Sequence, residues 1–221
     1  MKNILILWMA LLSVSAVYAQ KTFQGKITYD YKMTGDNSSM ASAFSPTSMD
    51  LLARKKGIIV RMNGGMMASM MGDMVTTKDG TVMINHNQKM AYDMDIKPED
   101  LKDTAAPKIE KMDEEMEILG HKCQKYKVVS IGQLGETTTY VWVTEDFQLP
   151  HFKSQATAAK NFSIKDIPGV ALKTQTSAMG MTVTQTATAI DQTKPKASEF
   201  KVPKGYERKK FDPKMFGIGG Q

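Results

Sequence analysis

From residue 23 to residue 33, Phe23, Gly25, Ile27, Tyr29, Tyr31 and Met33 alternate with Gln24, Lys26, Thr28, Asp30 and Lys32. A period of two sends each set to its own side of a β-strand, so this stretch belongs to a sheet with one apolar face and one wet face. The rest of the chain repeats the style. Residues 49–54 and 57–62 read as strands joined at Lys55-Lys56, and 74–78 and 81–85 as a hairpin turning through Asp79-Gly80, with 89–94 continuing the meander. Residues 109–119, 122–130 and 137–144 carry strand composition, and 170–178 and 181–190 meet at Gly180. In the last of these, Thr182, Thr184, Thr186 and Thr188 share a side opposite Val183, Ala187 and Ala189, a β-branched, hydroxyl-bearing solvent face.

Three stretches interrupt the pattern. Residues 35–47, rich in Ser, Asn and Gly, read as a loop or short lid. Pro98 ahead of Glu99 and Asp100 predicts a short helix over 97–102, and Ala156, Ala158 and Ala159 place a covering helix within 145–166. No fixed-period repeat is present. About ten strands around one core predict a mainly β (α+β) fold: a large, curled antiparallel sheet or half-barrel, with short helices over its concave face.

Lys2, an apolar run from Ile4 to Val17 and the small residues Val17 and Ala19 make residues 1–19 a signal peptide, cleaved before Gln20. No cysteine follows the cut, which argues against lipidation. The expected product is periplasmic or secreted: one β-rich domain over 20–206 and a basic, Gly-rich tail over 207–221. The formal charge of the whole chain is only +6, an excess too small and too spread to point to nucleic acid, and no nucleic-acid partner is expected. The basic residues gather late, at Lys201, Lys204, Arg208, Lys209 and Lys210, and read as a solvated tail in preference to a contact with anionic lipid or polymer. Cys123 is the single cysteine, so packing alone holds the core.

Residues 117–126 (EILGHKCQKY), Tyr140-Val141-Trp142-Val143-Thr144 and Phe200-Lys201-Val202-Pro203-Lys204-Gly205-Tyr206, together with the opening strand, resemble an exported bacterial family, domain of unknown function 4412. That family is similar to periplasmic carriers of lipoproteins. The resemblance implies a curled half-barrel that holds acyl chains on its concave face, and it brings no catalytic residues.

Signatures of catalysis are missing from the sequence: no G-x-S-x-G, H-E-x-x-H, phosphate-binding glycine loop or C-x-x-C occurs. His121 and Cys123 share a strand face, but without a positioned acid they read as structural, Cys123 as a small buried hydrophobe. Asp113, Glu114, Glu115 and Glu117 read as a solvated edge.

The most unusual local feature is Met62, Met66, Met67, Met70, Met71 and Met74, set among Gly64, Gly65 and Gly72. Spacings of four would stack these side chains if the segment is helical. Three readings stand side by side: ordinary packing, an adaptable surface for an apolar ligand, and a soft thioether site for cuprous ion. The flanking glycines are expected to loosen the segment into a mobile cover. The resulting expectation is a monomeric, non-enzymatic binding or carrier protein for a lipid-like ligand, with an envelope or lipoprotein partner and no cofactor. The residues expected to touch the ligand are Met66, Met67, Met70, Met71, Met74, Tyr29, Tyr31 and Trp142. A Met-rich copper-binding protein is the alternative, and a hydrolase using Cys123 and His121 comes third.

Overall fold

The computed structural model describes residues 21–35, 43–94, 106–132, 135–152, 164, 166–178 and 180–212. The signal peptide, the helix expected over 97–102, most of the helix expected within 145–166 and the end of the tail lie outside the described residues.

The strands are β1 (Lys21–Thr22), β2 (Gly25–Gly35), β3 (Ser48–Arg54), β4 (Gly57–Asn63), β5 (Asp73–Thr77), β6 (Gly80–Asn85), β7 (Met90–Met94), β8 (Lys108–Ile118), β9 (His121–Gly132), β10 (Gly135–Thr144), β11 (Phe147–Gln148), β12 (Val170–Ala178), β13 (Met181–Asp191) and β14 (Glu207–Lys210). Helix α1 (Gly65–Met71) links β4 to β5, and a 3-10 turn covers Ala197–Phe200. Twelve strands form one sheet in the order β14-β7-β6-β5-β4-β3-β2-β13-β12-β10-β9-β8, and β1 pairs with β11 in a separate two-stranded sheet.

Local chemistry explains the hairpins. Lys55-Lys56 and Lys78-Asp79 fill two-residue loops, and Leu119 and Gly120 both take positive φ (52° and 80°), as a type I′ turn between β8 and β9 requires. Two meanders result, β3 to β7 and β8 to β10. They join where β2 pairs antiparallel with β13, from Lys26 opposite Asp191 to Gly35 opposite Met181. Register shifts at Trp142/Val143 and Ala187/Ala189 place bulges in neighbouring parts of the sheet, and bulged strands bend and twist more strongly.

The main core gathers Ile27 and Tyr29 from β2, Leu51 from β3, Val60 from β4, Cys123 from β9 and Leu172 from β12, closed at one end by Phe23 and Phe147. The expectation of one wet face fails over β3–β6. There Leu52, Ile59, Val75 and Ile84 are buried on the other side beneath Phe200, Val202 and Tyr206. The continuous apolar runs Leu51-Leu52-Ala53 and Ile58-Ile59-Val60 serve both layers, because the segment after β13 returns to supply a second cover.

Two further expectations change. The start of the expected tail, Glu207–Lys210, is strand β14, parallel to β7, so the sheet is mixed. It is also unclosed, with β14 and β8 as its edges. Residues 147–148, placed within a covering helix from sequence, are extended because they pair with β1.

Candidate functional site

Helix α1 carries no charged residue and buries none of its seven residues. Met and Ala favour helix, but a seven-residue helix is marginal alone, so its ends must be held. A Cβ on Gly64 would run into the Thr47 hydroxyl, on Gly65 into the Ser45 carbonyl oxygen, and on Gly72 into the Ile84 carbonyl oxygen. All three glycines also have positive φ, between 67° and 71°. The buried Asn85 amide donates to the carbonyl oxygens of Met70 (2.9 Å) and Ser69 (3.4 Å), satisfying the last turn. The glycines therefore permit close contact instead of loosening the segment, and α1 is pinned at both ends.

The methionines divide by position. Met62 lies on β4 and Met74 is buried on β5, so the spacing of four runs past both ends of the helix. Met71, Met62 and Met94 each pack on the main core. Met66, Met67 and Met70 are 54%, 44% and 48% exposed, and Phe44, whose carbonyl oxygen abuts Gly65, is 50% exposed. All four side chains are uncharged and apolar, three of them on α1 and the fourth on the segment that passes its start.

The other residues expected to bind ligand do not join this group. Tyr29 is wholly buried, its hydroxyl donating to the Ala171 carbonyl oxygen at 2.9 Å, and burial drives its pKa upward. Tyr31 is half-buried; burial raises its pKa against the opposing effect of a Gln185 hydrogen bond. Trp142 is core, with the Lys173 ammonium 4.6 Å and the Lys125 ammonium 5.1 Å from its ring centroid. Lys125 also bonds Glu114 at 2.7 Å.

Cys123 is fully buried, its thiol 3.5 Å from the His121 carbonyl oxygen. Burial, reinforced by the negative charge of Asp146, pushes its pKa up to about 11. The His121 ring bonds Asp146 and meets Phe147 edge-on. A thiol held protonated in this way is a poor nucleophile. Among the described residues no group of three or more His, Cys, Asp or Glu is placed to hold a metal ion.

One polar cluster escaped the sequence reading. The Arg61 guanidinium grips the buried Asp73 carboxylate at 2.8–3.0 Å. Asp73 Oδ2 also lies 3.2 Å from His86 Nε2, and His86 Nδ1 lies 3.0 Å from the Tyr206 hydroxyl. The carboxylate holds the Arg61 pKa upward. These residues fasten the C-terminal segment to the sheet, which is a structural task.

The sequence profile of the domain of unknown function DUF4412 matches residues 23–206. The chain belongs to the DUF4412 family. No curated protein matches the sequence. Among solved structures, PNGF-II, crystallised in space group C2, superposes on 87% of this DUF4412 chain with a TM-score of 0.51 and 12% identity, which shows a shared fold. The chain spans 32% of the length of PNGF-II. Two mycobacterial proteins match more distantly. The *Mycobacterium tuberculosis* lipoprotein LppX aligns over 76% of the chain and 87% of its own length at 10% identity, with a TM-score of 0.34. LprF from *Mycobacterium bovis* aligns over 78% and 89% at 11% identity, with a TM-score of 0.32. Among the described residues no helix is long and apolar enough to cross a membrane.

Proposed function

We propose that this DUF4412 protein is a non-enzymatic binding or carrier protein, exported to the bacterial envelope, that takes up an apolar, lipid-like ligand on a sheet curled into a half-barrel. One observation carries the reading: α1 exposes Met66, Met67 and Met70 with no charged residue among them, and its last residue, Met71, packs on the main core, as do Met62 and Met94. Unbranched thioethers fit varied apolar shapes at little cost. Covering 200 Å² of such surface would contribute roughly 5 kcal/mol before ordering costs. The adjacent bulges support the curl, and the raised Cys123 pKa supports a role outside catalysis.

The test is titration with an uncharged fluorescent acylglycerol. Wild type should bind it, and replacing Met66, Met67 and Met70 together by Ser should weaken binding about tenfold or more while shifting Tm by only a few degrees. Absence of wild-type binding, or equal binding by the triple variant, would remove the reading. Met66 and Met70 stand one turn apart with exposed thioethers, so cuprous ion is the second reading. One-to-one binding in competition with a cuprous chelator, lost when the three methionines become Leu, would put copper first.

A further inference from the structure

The segment that returns after β13 lies across the side of the sheet facing away from the main core. Met74 and Met83, paired across β5 and β6, belong with the main core side, and the neighbouring pair Val75 and Val82 projects the other way. Phe200 seats against Gly57, where even a Cβ would clash with its ring. Arg54 donates to the Pro195 carbonyl oxygen at the start of the segment, and Arg208 clamps Asp93 through contacts of 2.6–2.9 Å at its end. Between this strap and β5, β6 and β7 lies a groove of about 630 Å³, within the size range of small-molecule sites.

Chemically, the groove is mixed. Val82, Phe200 and Val202, all partly exposed, supply apolar wall over the buried Val75 and Ile84. Five charged side chains also line it, and three of them are committed: Asp93 is paired with Arg208, and Asp79 lies 3.2 Å from Lys78. Among the described residues neither Lys201 nor Lys210 makes a close ion pair, although Lys210 stands opposite Asp93 in the pairing of β14 with β7. Three cationic side chains against two carboxylates leave the lining net positive, and apolar wall beside that excess suits a molecule with a hydrocarbon chain and an anionic head.

We propose that this groove is a second binding site, on the opposite side of the sheet from the methionine patch, for a single-chain anionic amphiphile of the fatty-acid class, with its carboxylate at Lys201 and Lys210 and its chain along Val82, Phe200 and Val202. The site stands independently of the methionine patch. The full chain is titrated with a fluorescent long-chain fatty acid and with the methyl ester of the same probe. The free acid should bind at least tenfold more tightly, with affinity falling as salt rises. Lys201→Gln with Lys210→Gln, both at exposed positions, should abolish that preference, whereas Met66, Met67 and Met70 changed to Ser should leave it intact. Val82→Trp, which fills the trough, should weaken acid and ester alike, with folding verified by circular dichroism. Equal binding of acid and ester by wild type, or no binding of either, overturns the proposal. So does a preference that survives the lysine changes, or one that disappears with the methionines.

Discussion

Burial fixes the chemistry of Cys123, the chain's one thiol. Its pKa of about 11 lies above the ordinary value of 9, so the folded protein keeps a proton that the unfolded chain releases. The stability this group contributes is complete below about pH 9 and is lost as pH rises toward 11. Native thiol labelling by a maleimide at pH 7–8 should accordingly be very slow, and Cys123→Ala should flatten part of the alkaline fall in Tm. Cys123→Ser should cost about 1–2 kcal/mol by adding a hydroxyl to an apolar site, measured by denaturant unfolding. Two glycines offer a sharper comparison. Gly72 combines φ of 67° with direct contact to the Ile84 carbonyl, whereas Gly120 has φ of 80° and open space around it. Gly72→Ala should destabilise by about 2–4 kcal/mol and Gly120→Ala by about 1 kcal/mol, the difference being the steric part.

At the scale of elements, the alternation in residues 23–33 and the two-residue turns made the strands legible, because both signals are local. The methionine spacing misled for the same reason. It implied one stripe from Met62 to Met74, but glycines at 64 and 72 cut the helix to seven residues and leave the outer methionines on strands. The patch on α1 could be read from sequence, since uncharged residues cluster there. The deep burial of Tyr29 and Trp142 could not, because nothing in the alternation says which apolar side chains a distant strand will cover. The strap was equally hidden: His86 meets Tyr206 across 120 residues of sequence, and a run of lysines carries no mark of the edge strand it becomes. Its attachment is testable. Tyr206→Phe removes the bond to His86 and should cost about 0.5–1 kcal/mol. With Gly57→Leu, which displaces Phe200, trypsin should cut at Lys201 and Lys204 several-fold faster than in wild type, read by mass spectrometry of timed digests. Unchanged cleavage would mean that Arg54, His86 and β14 hold the strap without Phe200.

For the whole molecule, an unclosed sheet leaves two edges that other chains could extend. Strand β8 defends one with Glu110, Lys111, Asp113, Glu114, Glu115 and Glu117, and with a break in register between Lys111 and Glu115 where the Gln124 amide occupies the Met112 and Glu114 carbonyl oxygens. Replacing Glu114, Glu115 and Glu117 by Val should promote association, seen as rising light scattering at micromolar concentration with little change in circular dichroism at high dilution. The pairing of β2 with β13 sets a different constraint. Strand β2 stands near the middle of the sheet, yet one of its flanks is covered only by residues 181–191. At about 5–20 residues per second, a growing chain takes roughly ten seconds or more to deliver that partner. The first long strand to be synthesised is thus among the last to be completed, and for that interval its apolar side chains and free backbone groups depend on whatever escorts the nascent chain.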